Sequence, residues 1–263
     1  MAWFLSLLFF FLISSVTACD RCVYQSKASH YYDDRPTSYG GTCGYGSLEF
    51  DISKGFYTAA GPSLYKQGIG CGACYQVRCK NKRLCSTKGT KVVLTDQNYE
   101  NKTEFFMGKK AFSAMALKGK GEELLKIDNL DVEYKRIPCD YKSKNLMVQV
   151  VEWSSKPYYL AIKFLYQGGQ TDIQAVNIAQ VGFPKWSPMK KHQGAIWDSN
   201  NVPRGALQIS MMVSSGYNRK WIYANYVLPA AWRNGEIYDT GMQIKDIAAE
   251  YCRPYNCGDK PWN

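Results

Sequence analysis

Histidine is nearly missing from this chain: His30 and His192 are the only two in 263 residues. No HExxH pair, no Gly-x-Ser-x-Gly elbow and no glycine loop of phosphate-binding pattern occurs. Zinc-protease, serine-hydrolase and phosphate-loop chemistries therefore have no sequence footing. Internal repeats and low-complexity tracts are absent, which sets aside solenoids and biased tails. After the first 18 residues no apolar run approaches the length needed to span a bilayer. Cysteine is missing from one long interval, Cys139 to Cys252, although the chain holds ten. Acids are scarce beside bases, 22 against 33, for a net charge of +11. Such a balance points to an anionic environment or serves solubility alone.

What is present begins with an uncharged apolar run, Trp3 to Val16, closing on Val16-Thr17-Ala18. The run is short for a bilayer, and small residues at its end fit a secretory signal cleaved after Ala18. The sequence thus predicts a soluble, secreted protein starting at Cys19, with no membrane association after cleavage. Export makes ten cysteines, an even number, a disulfide framework. Zinc through Cys19-x-x-Cys22 and Cys71-x-x-Cys74 is disfavoured, because the gap between the pairs far exceeds that of a zinc ribbon. No metal and no cofactor is expected. An exported protein does not meet nucleic acid, so any anionic partner suited to its charge lies outside the cell.

A mature chain of about 245 residues suits two domains. The cysteine gap places the break near Ile137 to Lys144, where Pro138 and clustered charge interrupt two alternating runs. The expected layout is a signal over 1–18, a stapled domain over 19–143, a second domain over 144–251 and a tail over 252–263. The first domain is organised around Gly70 to Asp96, which holds Cys71, Cys74, Cys79 and Cys85 and delivers Asp96 from the apolar strand Val92-Val93-Leu94. One helix is expected over Lys110 to Leu117, with Phe112, Met115 and Ala116 on one face. Asn101-Lys102-Thr103 is an N-glycosylation acceptor. The second domain reads as strands at Tyr159–Tyr166, Ile173–Val181, Ala206–Val213, Trp221–Asn225 and Ile237–Ile244, separated by Gly and Pro turns. That pattern predicts an antiparallel sandwich.

Several motifs in one order carry a resemblance. Cys43-Gly44-Tyr45-Gly46, Gly70 to Cys79, Thr95-Asp96-Gln97-Asn98, Ala111 to Ala116 and Val132 to Cys139 resemble plant expansins. Cys19-Asp20-Arg21-Cys22 and the tail with Cys252 and Cys257 are most similar to the expansin-like A subgroup. The resemblance implies an all-β-dominated protein: an N-terminal double-psi β-barrel with a short helix, then an immunoglobulin-like β-sandwich. It implies bridges Cys43 to Cys71, Cys74 to Cys139 and Cys79 to Cys85, and leaves Cys19, Cys22, Cys252 and Cys257 open. It places Thr37, Tyr39 and Asp96 in a polysaccharide groove, with Ser38 where the family has an aromatic. It also places Tyr158 and Tyr159, then Trp197 and Trp186, on a sugar-binding platform, where flat apolar sugar faces stack on exposed rings. Strand alternation would let only one of Tyr158 and Tyr159 face outward.

The family's His-Phe-Asp motif aligns with Glu104-Phe105-Phe106. Glycosidic hydrolysis normally needs two carboxyl groups flanking the bond, and Phe106 cannot transfer a proton. Glu104, two residues away on the same strand face, is the one alternative acid. The reading is a non-enzymatic, monomeric wall protein that binds cellulose, xyloglucan and, through its charge, pectin, and loosens non-covalent glucan contacts. The alternatives are a carbohydrate-binding or defence protein without loosening action, and a weak endoglucanase.

Overall fold

The computed structural model describes residues 19, 21–32, 41–100, 102–215 and 218–262. The expected signal segment, Thr37, Tyr39 and Asn101 lie outside the described residues. No helix among the described residues is long and apolar enough to cross a membrane.

Six strands close the N-terminal barrel: β1 (Tyr24–His30), β2 (Tyr57–Ala60), β3 (Cys74–Cys79), β4 (Thr90–Gln97), β5 (Phe105–Met107) and β6 (Leu130–Ile137). Their order around the barrel is β1-β5-β2-β4-β3-β6, with β1/β5 and β2/β4 parallel. This is the double-psi barrel that the resemblance implies. In β3, Tyr75 and Val77 are buried while Gln76 and Arg78 are partly exposed, the period-two pattern of a barrel wall. Leu94, Phe105, Met107, Val132, Phe112 and Met115 fill the interior. Four short helices cover the barrel: α1 (Leu48–Ser53), α2 (Pro62–Tyr65), α3 (Lys109–Ser113) and α4 (Gly121–Leu124). Helix α3 is shorter than the Lys110–Leu117 pattern. Met115 reaches the core from the turn that follows, because its amide bonds back to Phe112 and the Cys85 to Ala116 bridge pulls the chain out of helix.

The second domain has strands β7 (Met147–Val150), β8 (Leu160–Leu165), β9 (Ile173–Gln180), β10 (Ser187–Lys191), β11 (Ile196–Ser199), β12 (Leu207–Ser215), β13 (Asn218–Leu228) and β14 (Ile237–Asp239). Strand β10 pairs with β9 through Ser187–Met189 and with β11 through Lys190–Lys191, so it passes from one layer to the other. The layers are β13-β12-β9-β10 and β10-β11-β8-β7-β14, antiparallel throughout, and together they form the expected sandwich. Between them lie Val148, Val150, Ile162, Phe164, Ile178, Ile209, Met211 and Val213. The Ile237–Ile244 segment is a strand only as far as Asp239. The Gly241 turn, at φ +71°, and the Thr240 hydroxyl donating to the Leu146 carbonyl at 2.7 Å then redirect the chain.

A polar seam joins the domains. Arg136 on β6 donates to Asp172 Oδ1 at 2.6 Å, and Lys66 donates to Oδ2 at 2.9 Å. Lys163 on β8 donates to the Gly44 carbonyl at 2.6 Å, and the Ala195 amide donates to the Cys43 carbonyl at 3.1 Å. Leu165 and Tyr166 extend the barrel's core cluster across the seam.

After β14 the chain returns to the barrel. Cys19 bonds to Cys257 and Cys22 to Cys252, over sequence separations of 238 and 230. The other bridges are Cys43–Cys71, Cys74–Cys139 and Cys79–Cys85. The tail lies along β1, β3 and β6. The buried Lys135 ammonium donates to the Gly258 and Lys260 carbonyls at 2.7 and 2.8 Å, and Trp262 sits beneath Arg78, 4.1 Å from guanidinium carbon to ring centre.

The two terminal bridges share one large loop, so their contributions are not additive. Replacing either pair by serine leaves the other to close the large loop, opens only the ring of about eight residues between the two bridges and should cost about 2–3 kcal/mol; replacing both should cost about 8 kcal/mol, on the chain-entropy relation. Denaturant unfolding of the single and double replacements measures this, and additive losses would contradict it.

At the seam, burial opposes the charge on Asp172. Arg136 and Lys66 overcome that penalty and hold its carboxyl below the usual range. Stability from a depressed carboxyl is present above its unfolded pKa, about 4, and is lost as pH falls through the lower folded value. Asp172→Ala should cost about 3–5 kcal/mol by stranding Arg136. It should also flatten the acid limb of the melting-temperature profile below pH about 4.

Candidate functional site

Strand β4 buries Val92, Val93, Leu94 and Thr95 and then presents the partly exposed Asp96. Asp96 Oδ1 accepts the Thr42 amide at 2.7 Å and the Gln97 amide at 2.8 Å. The Thr42 hydroxyl accepts the same Gln97 amide at 2.8 Å. Gly41 makes this approach possible: it sits at φ +62°, and a Cβ there would stand 2.7 Å from Asp96 Cβ. The loop that grips Asp96 continues through Cys43 and Gly44 into the seam.

Across the sheet from Asp96 stands Phe106. Ala59 on β2 registers with Asp96 on one side and Phe106 on the other. Two strand spacings put their backbones about 9–10 Å apart, within range of a hydrolase's paired carboxyls. Phe106 instead packs edge-on against Tyr31, with ring centres 4.6 Å apart. Glu104 does not supply the missing group at Ala59. Its Oε1 accepts the Ser63 hydroxyl at 2.9 Å and the side chain lies over Gly61, two residues beyond Ala59. Among the described residues no second carboxyl stands across Ala59 from Asp96.

Beneath Asp96 lies a carboxyl that sequence reading passed over. Glu49 on α1 is 2% exposed, and its Oε2 has no hydrogen-bond partner. Burial pushes its pKa up, the Thr95 hydroxyl opposes that, and the Asp96 carboxylate reinforces it. The Tyr31 hydroxyl is raised well above its ordinary value by burial, with Asp96 as the next cause. The site floor therefore resists a second negative charge.

On the sandwich, Tyr158 and Tyr159 fall in the turn before β8, where strand alternation does not apply. Tyr158 is 75% exposed. Tyr159 is half-buried, with its ring stacked on Trp153 at 5.7 Å and an interplanar angle of 29°. The Tyr159 hydroxyl donates to Asp198 Oδ2 at 2.7 Å, and its pKa is pushed up to about 12 by desolvation and by that carboxylate. His192 Nδ1 lies 2.8 Å from the same oxygen, and its ring is 5.3 Å from Trp153. Trp153 was not among the expected residues. The available signal was an aromatic at the end of β7, facing Tyr159 across the β7–β8 turn.

Trp197 is not a platform residue: it is 5% exposed and belongs to the sandwich core. Its register with Ile162 turns it inward, whereas Ile196 and Asp198 on either side turn outward. Lys191 packs 4.7 Å above its ring, with its pKa pushed down to about 7 by burial. Trp186 is half-buried and pairs with Tyr223 on β13, in the other layer of the sandwich. It does not join Tyr158 and Tyr159.

Asp96 and the Trp153–Tyr159 pair flank the same seam. Gly44, three residues from Gly41, touches Ile196 and accepts Lys163, and these pair on the outward side of β11 and β8 just before Asp198 and Ala161. No metal set competes with this site. Among the described residues, the groupings close enough to share an ion are built on Cys19, Cys22, Cys252 and Cys257, whose sulfurs are spent in disulfides.

Residues 147–229 match the sequence family described as expansin C-terminal domain, and residues 57–127 match the family described as lytic transglycolase. A crystal structure of an expansin from Clavibacter michiganensis superposes with a TM-score of 0.63 at 19% identity, over 84% of this chain and 97% of that one. A mutant of that expansin in complex with cellohexaose gives 0.61 at 17%, with the same coverage. Among full-length relatives, expansin-like A1 of Arabidopsis thaliana is 49% identical, covering 99% of this chain and 98% of its own. Expansin-like A3 of Oryza sativa subsp. japonica is 44% identical, covering 94% and 90%. With such identity across nearly its whole length, the chain belongs to the expansin-like A family.

Proposed function

We propose that this protein is a secreted, monomeric plant cell-wall protein that binds cellulose-type glucan along the seam and loosens non-covalent contacts between glucan chains. The observation that carries the reading is the Trp153–Tyr159 stack, fixed by Asp198 and bordered by the exposed Tyr158. Two rings held in a fixed stack before ligand arrives offer aromatic contact area at little ordering cost. Asp96 then accepts sugar hydroxyls at the barrel end, with Thr37 and Tyr39 assigned to the same groove. The cellohexaose complex of the Clavibacter michiganensis protein supports the ligand class. Xyloglucan is assigned to the same surface, and Asn101 is assigned a glycan.

Loosening follows from binding alone. A chain held by rings on one side of the seam and by Asp96 on the other loses contacts to its neighbours without bond cleavage. No step needs a proton donor, which accords with Phe106.

Trp153→Ala and Tyr158→Ala should each weaken retention on insoluble cellulose about tenfold, the loss expected for a central platform ring. Their melting temperatures should stay near that of the parent. Trp197→Ala should instead cost about 3–5 kcal/mol of stability by opening a core cavity. Asp96→Asn should reduce wall extension while reducing-end release stays at background in both proteins. Retention unchanged in folded Trp153→Ala and Tyr158→Ala would refute the platform. Retention without any wall extension would leave a binding protein only.

A further inference from the structure

The sandwich has a second aromatic surface, on the outer side of the β13-β12-β9-β10 layer. Ile209, Met211 and Val213 point into the core, so the alternate positions Ser210 and Met212 point outward. Their partners on β13 are Tyr223 and Trp221, which are 55% and 41% exposed. Tyr223 meets Trp186 from the far strand at 5.8 Å, although three strand spacings, about 14 Å, separate their backbones. Both rings must therefore lean across the sheet. Ser210 and Ala179 beneath them are outward in parity, yet 2% and 0% exposed. The two rings lie over small residues and are tilted 59° to each other, so each offers its own aromatic surface to solvent, with Asn177 beside them donating to the Ser210 hydroxyl at 3.3 Å.

Charge separates this face from the seam. Between Ile173 and Gly235 there are seven Lys or Arg residues and one acid, Asp198, which lies in the other layer against Tyr159. None of β9, β10, β12 or β13 contains an acid. Lys185, Arg204 and Arg219 are exposed and make no ion pair among the described residues. Arg219 precedes Trp221 by two residues on the same side of β13, and Lys185 adjoins Trp186.

We propose that this outer face is a second carbohydrate site, and that its ligand is an acidic polysaccharide, a chain of uronate sugars. Pyranose faces stack on Trp186, Tyr223 and Trp221, and the carboxylates meet the unpaired cations around the rings. Neutral glucan has no use for that charge. The site is independent of the Trp153–Tyr159 surface, so failure at either leaves the other standing.

The test is titration of the full-length secreted protein with soluble polygalacturonate and with the same polymer fully methyl-esterified. The acid form should bind about tenfold more tightly than the ester, and added salt should remove the difference. Trp221→Ala and Arg219→Glu should each lower polygalacturonate affinity about tenfold while cellulose retention is unchanged. Arg219→Glu is an exposed reversal that opens no cavity, so it decides the matter if Trp221→Ala unfolds. Equal affinity for ester and acid would overturn the proposal, as would parental affinity in both variants. Loss of polygalacturonate binding in Trp153→Ala alone would move the ligand to the seam. A concentration-dependent dimer abolished by Trp221→Ala would make the face a contact between copies.

Discussion

The arrangement of the site depends on one buried ion cluster, Arg136 and Lys66 against Asp172. Each side chain of the Arg136–Asp172 pair is only 10% exposed, so water contributes little to its solvation. Such a cluster adds little net stability compared with apolar packing, since desolvation consumes most of the attraction. What it does supply is direction. Arg136 ends a barrel strand, Asp172 opens β9, and a shift in either leaves a buried charge without its partner. Apolar contacts at Leu165 and Tyr166 would tolerate sliding; the ion cluster does not. The register it sets brings Gly44 against Lys163 and Ile196, and this in turn puts Asp96 and the Trp153–Tyr159 pair beside one seam.

The tail works to the same end by covalent means. A chain whose first and last cysteines are joined cannot separate its domains without also peeling the tail from β1 and β6, where Lys135 and Trp262 hold it. Two nested bridges are more than loop closure requires. The second fixes the direction in which the tail leaves the first, and so lays Trp262 under Arg78. On the proposal that glucan binds along the seam, closing the seam covalently would keep the binding surface in one piece.

The sequence made some of this legible and hid the rest for identifiable reasons. Val92-Val93-Leu94 followed by Thr95-Asp96 reads as a buried strand ending in an acid because burial and charge change abruptly over two residues. Phe106 is conspicuous because a phenylalanine stands where the resemblance requires a carboxyl. Trp197 misleads: Ile196 and Trp197 are both apolar, so neither parity stands out, and only the pairing with Ile162 decides which turns inward. Trp153 was missed because its partner Tyr159 lies across a turn, where no period applies. Glu49 gave no sign at all. A glutamate in the first turn of a short helix looks like an ordinary surface residue until the fold buries it under Asp96.

Burying Glu49 makes chemical sense only together with Phe106. A hydrolase keeps one carboxyl as acid and another as base, with solvent reaching both. Here Glu49, whose charge Asp96 opposes, is buried with one oxygen unpartnered, and the position across Ala59 is aromatic. Asp96 spends Oδ1 on two backbone amides, which orients the carboxyl. A carboxylate fixed in this way accepts hydroxyls well and shuttles protons poorly, since reorientation would break both bonds to the loop. On the proposals above, the two faces of the sandwich would select by different physics: stacking with hydroxyl contacts at the seam, and stacking with charge opposite it.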